Sequence, residues 1–282
     1  HEVCGVVEKV GSAVSRWKPG DAVIVENNTS LAVSTAAKNG RIADCTDLYI
    51  TMNAPGLADY LKTHQLALHR NPGLSPREAA FAEPLTVALD LIESGGIPLG
   101  GRVAVFGGGT IGLLAARLAK VRGAGKVVLS QPSRSKARVA LARKLGVDRV
   151  VHPDLENAVE AFRAECPEGY DRVLVTAPVR TLPEAIPISR FGAVICYDGI
   201  DFANPVISFD ANDFHFKRLT LRGIHSIPNL RFPMAIDLLL RGVVDGRQFI
   251  SHTFPLRHVQ EAVHTAAWDK ANAVKVMVLM EG

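Results

Sequence analysis

Two hydrophobic patterns divide the chain. From His1 to about Leu91, short apolar runs such as VCGVV and AVIV alternate with Gly and Pro and show no helical periodicity. This pattern predicts a small all-β module with long loops. From about Arg102 onward, apolar runs of strand length alternate with stretches of helix length. That alternation predicts an α/β fold with a doubly wound parallel sheet, covered by helices on both faces.

The second region can be divided into individual elements. Its predicted strands are residues 102–106, 126–130, 149–151, 171–177, 192–197 and 218–224. After the first strand, Ile111, Leu114 and Leu118 fall on one helical face, which indicates an amphipathic helix. A basic helix is predicted to end near Gly146. Further helices are predicted around residues 232–239 and 259–266, and a final strand at 273–280.

Composition and charge restrict the function to small-molecule chemistry. The 282 residues are 48% apolar and 21% charged, and 32 basic against 28 acidic side chains give a net charge of +4. The length suggests two domains. So small and dispersed a charge argues against a nucleic-acid or membrane surface, and no apolar run reaches the roughly 18–20 residues of a membrane span. Four scattered cysteines are typical of the reducing cytoplasm, where we expect this protein.

Three glycines form the pattern G-x-G-x-x-G between the first strand of this region and its helix. They are Gly107, Gly109 and Gly112, and Thr110 and Ile111 lie between the second and third. In this context the glycines permit a tight turn, close approach of a pyrophosphate and close helix packing, and the helix N-terminus supplies free N–H groups. The pattern therefore predicts a dinucleotide site that includes all five residues. A glycine-rich turn without a ligand is the alternative.

The end of the second strand bears on which dinucleotide binds. An NAD site usually carries an acidic residue there, about 20 residues past the glycines, to bind the ribose 2′-OH. Here Ser130 is followed by the neutral Gln131, with Arg134 and Lys136 close behind, together with Ser133, Ser135 and Arg138. A neutral residue next to basic ones can accommodate a 2′-phosphate, so we expect NADP rather than NAD, with NAD as the alternative. The alternative for these basic residues is that they are simply the solvated start of a helix.

Three segments, taken in order, resemble one enzyme family. HEVCGVVEKVGSAVSRWKPGDAV, the EPL of AFAEPLTVALDLIE, and VAVFGGGTIGLLAARLAK resemble the zinc-containing medium-chain dehydrogenase/reductase family, in particular its sorbitol (polyol) dehydrogenase branch. The resemblance covers nearly the whole chain. It implies a GroES-like, β-rich catalytic domain over residues 1–89 and 227–282, and a Rossmann nucleotide-binding domain over residues 90–226.

The resemblance also implies a catalytic zinc. The family holds it with an upstream Cys, with a His-Glu pair that matches His1 and Glu2, and with a glutamate that matches Glu83, bound directly or through water. Glu83 would hold the water or relay a proton, and Glu2 would tune the metal. Without the resemblance, His1 is a terminal residue and Glu83 a surface carboxylate. Because no Cys precedes His1, we expect that the natural chain is longer and that this form binds nucleotide but turns over poorly.

A second zinc of the family is expected to be missing. Many members bind a structural zinc through C-x-x-C-x-x-C-x7-C, and the resemblance places these four positions at Leu31, Ser34, Ala37 and Cys45. One thiolate cannot complete a tetrahedral site, and Leu and Ala cannot coordinate a metal. The segment from Asn27 to Asp47 is therefore expected to keep the length of the lobe without its metal.

The resemblance implies reversible hydride transfer between a secondary alcohol (polyol, sugar or cyclitol) and its ketone. A zinc-free reductase of quinones or enones, or a catalytically silent nucleotide-binding protein, are the alternatives. Ser226 and Asn229, within HSIPNLRFP, are the candidate substrate contacts. The family is usually dimeric or tetrameric, and strand 218–224 is apolar enough to pair across a two-fold axis. A homodimer or homotetramer is therefore expected.

Overall fold

The computed structural model describes residues 1–51, 54 and 56–280. They form two compact units. The first contains residues His1–Val87, Ser226–Ala262 and the C-terminal segment from Val276, and the second contains Ala88–His225 and Val263–Lys275. Within the described ranges, no helix is long and apolar enough to cross a membrane.

The elements are numbered along the chain. The strands are β1 (Val3–Val6), β2 (Ala22–Val25), β3 (Asn28–Ser30), β4 (Leu48–Ile50), β5 (Leu68–Arg70), β6 (Arg102–Phe106), β7 (Lys126–Ser130), β8 (Arg149–Val151), β9 (Tyr170–Val175), β10 (Ser189–Tyr197), β11 (Thr220–Gly223), β12 (Ile250–Pro255) and β13 (Lys275–Leu279). The helices are α1 (Thr35–Lys38), α2 (Pro76–Ala79), α3 (Ala82–Gly95), α4 (Thr110–Val121), α5 (Lys136–Lys144), α6 (Ala158–Glu165), α7 (Leu182–Ile188), α8 (Ala211–Phe216), α9 (Phe232–Leu240) and α10 (Val259–Trp268).

Small antiparallel sheets build the first unit. Strands β1, β2 and β5 form one sheet, in which Val3 pairs with Val25 and Val23 pairs with Arg70. Strands β3 and β4 form a second sheet, and β12 and β13 a third. Strand β2 is the central strand of the three-stranded sheet, and its apolar residues from Val23 to Val25 are buried. The predicted β module is present in this unit.

Helix α3 shows that the prediction of an all-β first region was wrong. Helix α2 precedes it and starts with a capping box, in which Ser75 and Glu78 satisfy each other's backbone N–H groups. Helix α3 then runs for 14 residues and buries side chains on almost every side, including Leu85 and Leu91. The polar residues Glu83 and Thr86 are buried in this helix as well, so its sequence does not divide cleanly into an apolar and a polar face.

A six-stranded sheet forms the middle of the second unit. Its strand order is β11-β10-β9-β6-β7-β8, and every pairing is parallel. The doubly wound parallel sheet predicted from the sequence is thus confirmed. Because all strands point the same way, the residues that follow β6, β7 and β8 share one edge of the sheet. At such an edge, where the strand order reverses, open α/β sheets bind their ligands.

The compact units differ from the predicted domain bounds at residues 263–275, which pack with the second unit. Two hydrogen bonds tie this segment to α5. Ala137 N donates to Ala271 O at 2.9 Å, and Arg138 Nε donates to Ala273 O at 3.0 Å. Such pairings join residues about 135 positions apart, which a division by local sequence pattern does not detect.

Candidate functional site

The glycine turn lies between β6 and α4. Gly107 has a φ of +96°, a backbone region that favours glycine, and a Cβ on Gly112 would stand 1.8 Å from Gly107 O. A Cβ on Gly109 would instead meet nothing within 4 Å. Gly109 is the N-cap of α4, and no side chain caps that helix end. The first N–H groups of α4, beginning at Thr110 and Ile111, are therefore suited to bind a pyrophosphate.

Two side chains at the end of β7 contact the backbone N–H groups of this turn. Gly107 N lies 3.3 Å from Ser130 Oγ, and Gly108 N donates to Gln131 Oε1 at 2.8 Å. Gln131 is 5% exposed. The structure thus turns the Gln131 carboxamide toward the glycine turn, where it fixes the backbone. The sequence had suggested this residue only as a neutral neighbour of the ribose.

The basic residues after β7 fall into two groups. Arg134 and Lys136 are exposed beside the turn. Arg138, however, points away, because its guanidinium donates to Ala273 O, and burial lowers its pKa. Only the first two remain placed where a phosphate from solvent can meet them.

Asp154, which the sequence analysis missed, lies beside these residues. Its carboxylate accepts hydrogen bonds from Ser133 N and Ser133 Oγ, both at 2.8 Å. Asp154 follows β8, and β8 pairs with β7 so that Val151 lies opposite Ser130. The position of an acidic residue just past a neighbouring parallel strand was the available signal, since neighbouring strand ends share an edge.

In the first unit, the structure brings His1 and Glu83 together. His1 Nε2 lies 3.5 Å from Glu83 Oε1, and the Glu83 side chain is only 4% exposed. Imidazole and carboxylate are both zinc ligands, and tetrahedral coordination at about 2.0–2.2 Å spaces ligand atoms about 3.4 Å apart. The two atoms therefore fit one edge of a tetrahedral zinc site. A buried carboxylate with such a neighbour is not the surface carboxylate of the alternative interpretation.

Glu2 does not complete this pair. It is half-buried, and no three His, Cys, Asp or Glu side chains within the described ranges are grouped as a metal site. The structure thus brings together two of the three residues expected to bind the metal. Cys4, two residues further, is half-buried rather than fully buried, and its Sγ donates to Pro76 O at 3.3 Å.

Asn229, a candidate substrate contact, is instead held inside the first unit. It is 4% exposed, its Nδ2 donates to Thr86 Oγ1, and its Oδ1 accepts from Arg231 N at 3.2 Å. Thr86 Oγ1 in turn donates to Glu83 O at 2.6 Å. Asn229 therefore links the segment after Ser226 to the helix that carries Glu83. Ser226 is half-buried and keeps an interaction of its own.

A second buried glutamate that contacts a histidine, also missed from the sequence, lies in this unit. Glu26 Oε2 and His69 Nε2 are 2.8 Å apart, with side chains 7% and 23% exposed. The His69 ring stacks on Phe232 at 5.0 Å between ring centres and 6° between planes. Phe232 begins α9, just after Asn229. The pair therefore contacts, through the His69 ring, the helix that follows the Asn229 segment.

The lobe between Asn27 and Asp47 is closed by hydrogen bonds. Ser34 Oγ lies 3.3 Å from Cys45 Sγ and accepts from Ala37 N, so three of the four positions of the family's metal loop meet in space. Asp47 Oδ2 accepts from Val33 N at 2.8 Å and from Ser34 N at 3.2 Å. The Val33 bond is the main reason that the Asp47 pKa is lowered to about 2.

Comparison with known proteins connects both units to dehydrogenases. The family model for the alcohol dehydrogenase GroES-like domain matches residues 1–73, and that for zinc-binding dehydrogenases matches residues 110–241. The chain is 28% identical over 289 residues to the sorbitol dehydrogenase of Bacillus subtilis (strain 168), covering 99% of this chain and 79% of that protein.

Two solved structures are similar over the whole chain. One is a protein described as a zinc-binding dehydrogenase from Sinorhizobium meliloti 1021, bound to NADP (TM-score 0.85, 28% identity, covering 100% of this chain and 82% of that one). The other is the 2R,3R-butanediol dehydrogenase of Bacillus subtilis (TM-score 0.82, 25% identity, covering 99% and 79%).

The fold, the matches and the motifs agree. The first unit matches the GroES-like domain, and the second contains the parallel sheet and glycine turn of the Rossmann domain. The chain belongs to the zinc-containing medium-chain dehydrogenase/reductase family, in its sorbitol dehydrogenase-like branch.

Proposed function

We propose that this protein catalyses reversible hydride transfer between a secondary alcohol of the polyol, sugar or cyclitol class and NAD(P). The observation that carries the proposal is the contact of His1 with the buried Glu83, with Nε2 and Oε1 3.5 Å apart. The sorbitol and butanediol dehydrogenases to which the chain is similar support this substrate class.

His1 and Glu83 are proposed to hold a catalytic zinc, with Glu2 tuning it from the neighbouring position. When bound, zinc supplies a Lewis acid that favours the alkoxide form of the alcohol and polarises the ketone. Glu83 is proposed to bind the metal directly or, where a water lies between them, to relay the proton that the alcohol loses. Asn229 and Thr86 position Glu83 through its helix, because Thr86 Oγ1 donates to the Glu83 carbonyl.

The second unit is proposed to bind the dinucleotide at the glycine turn. The pyrophosphate would meet the N-terminus of α4 at Gly109, Thr110 and Ile111. We propose that the protein uses NADP(H) and accepts NAD(H), because the neutral Gln131 does not repel a 2′-phosphate and the exposed Arg134 and Lys136 can pair with one. The NADP-bound relative supports this assignment.

The assembly and location follow the family. We propose a homodimer or homotetramer in the cytoplasm. The free state of Cys4, Cys45, Cys166 and Cys196 supports a reducing compartment.

Exchange of Glu83 tests the function. Glu83→Gln should lower kcat/KM for a polyol at least about 100-fold, since it removes the carboxylate that either role, metal ligand or proton relay, requires. It should also lower the zinc content measured by mass spectrometry. Glu26→Gln is the matched control, because it alters another buried glutamate that contacts a histidine in the same unit, and this variant should keep its zinc.

The alternatives predict other results. If the protein contains no zinc and reduces enones or quinones, it is the zinc-free reductase. If it binds nucleotide but turns over neither alcohols and ketones nor enones and quinones, it is the silent binding protein. Either result overturns the proposal.

A further inference from the structure

Asp154, which follows β8, places a negative charge against the β7–α5 turn (residues 131–135). Asp154 accepts from the backbone N–H and from the hydroxyl of Ser133, with one carboxylate oxygen for each donor. Asp154 is exposed, so its carboxylate meets solvent on its other side. An anion from solution would have to displace this carboxylate to use the two Ser133 donors.

These donors are the kind that a 2′-phosphate needs. In a Rossmann domain the adenosine ribose lies at the end of the second strand, here β7. A phosphate at this place is bound by N–H groups, hydroxyls and cationic side chains. The Ser133 amide and hydroxyl supply the first two, and Arg134 supplies the cation.

The Asp154 carboxylate is ionised at neutral pH. The Ser133 N–H is the main cause that lowers its pKa, the Ser133 hydroxyl is the next, and the charge of Arg134 adds to them. Asp154 thus uses the two Ser133 donors that a phosphate would use, close to the charge of Arg134. It also places a negative charge where a 2′-phosphate would bring another.

We propose that Asp154 is a cofactor-specificity residue that occupies the anion-binding position of the β7–α5 turn and opposes a 2′-phosphate. The inference rests on the proposed function in one respect, since it takes the turn to be the adenosine-ribose site. Asp154 sets the balance: Gln131, Arg134 and Lys136 admit NADP(H), and the Asp154 carboxylate keeps NAD(H) competitive.

The test uses two nucleotide fragments that lack nicotinamide. Binding of 2′,5′-ADP and of 5′-AMP to the full chain is measured by titration calorimetry at one fixed ionic strength. Asp154→Asn removes the charge and keeps an oxygen that can accept from Ser133. It should raise the preference for 2′,5′-ADP over 5′-AMP at least about tenfold, because like charges no longer meet.

Asp148→Asn is the matched control. Asp148 likewise accepts from a backbone N–H, that of Val127 at 2.6 Å, but it lies just before β8, at the opposite edge of the sheet. It should change the fragment preference less than twofold. Ser133→Ala separates charge from structure, because it removes the hydroxyl hydrogen bond and keeps the Asp154 charge. It should not raise the preference for 2′,5′-ADP.

Each outcome decides the proposal. The proposal is overturned if both Asp154→Asn and Asp154→Ser fold normally by circular dichroism and leave the preference for 2′,5′-ADP over 5′-AMP unchanged. Asp154 would then have only a structural role. An equal rise in Ser133→Ala would also overturn the proposal. If the unaltered protein binds neither fragment at millimolar concentration, the nucleotide site itself fails, and the proposed function fails with it.

Discussion

At the residue scale, single polar side chains form hydrogen bonds that the sequence pattern did not predict. Asp47 closes the lobe by accepting from Val33 N and Ser34 N, and Asn229 is held by hydrogen bonds inside the first unit rather than left open to substrate. Such roles depend on which backbone groups lie within about 3 Å, and residue type alone does not reveal them.

We expect no metal in the lobe. Cys45→Ser should leave the zinc content unchanged, because the bonds from Asp47 to Val33 and Ser34 close the lobe without it. Cys45 is 4% exposed, so exchange for the more polar Ser should lower the free energy of unfolding by only about 1 kcal/mol. Metal analysis of both proteins checks this, and loss of one zinc equivalent on substitution would contradict it.

Asp198 should make the second unit less stable as pH rises. It follows β10, and burial, with a smaller contribution from the charge of Asp90, raises its pKa from 3.8 to about 6. Between these two values the folded chain keeps a proton that the unfolded chain has lost, so this contribution to stability is lost as pH rises from about 4 to about 6.

Asp198→Asn therefore tests the shift. The variant should be more stable than the unaltered protein at pH 7.5, by on the order of 2 kcal/mol, and no more stable at pH 4. Urea unfolding at both pH values measures the difference, and a stability gap that does not depend on pH would refute the assignment.

At the element scale, the turn between β6 and α4 separates two uses of glycine. Gly112 is required by packing, since a Cβ there would overlap the carbonyl of Gly107. Gly109 has room for a side chain and a φ of −70°, so the free protein has no structural need for glycine there. A ligand that approaches the backbone closely is the remaining physical reason.

The pair Gly109→Ala and Gly112→Ala should separate these roles. Gly109→Ala should leave the melting temperature nearly unchanged and weaken NADPH binding at least about tenfold, or about 1.4 kcal/mol. Gly112→Ala should lower the melting temperature itself. Fluorescence titration and thermal unfolding give both quantities, and undiminished NADPH affinity in Gly109→Ala would contradict a pyrophosphate at this turn.

At the scale of the whole molecule, the preference between NADP(H) and NAD(H) depends on the combined charge of several residues around the β7–α5 turn. Gln131→Asp should shift the ratio of kcat/KM values for NADPH and NADH toward NADH, because a carboxylate at this position repels a 2′-phosphate and can bind a 2′-OH. Steady-state rates with both cofactors measure the ratio. If the unaltered protein already binds NADH tenfold more tightly than NADPH, the charge argument is wrong.

The sequence by itself determined the parallel sheet, the glycine turn and the family. Each of these rests on local information: the buried strands read as apolar runs, and the glycines fall at fixed spacing between a strand and a helix. The likeness of His1, Glu2 and Glu83 to a family motif likewise needs no coordinates. Features that depend only on the spacing of residues along the chain could therefore be predicted from the sequence.

Only the tertiary structure decided which side chains meet. Helix α3 was missed in a region of strand-like runs, because it buries polar residues such as Glu83 and Thr86 together with its apolar ones. The contact between His1 and Glu83 spans 82 positions of the chain, Glu26 and His69 span 43, and Ser133 and Asp154 span 21. The physical reason is that hydrogen bonds and ion pairs act over a few ångströms, and the packing of strands and helices sets those distances for residues far apart in sequence.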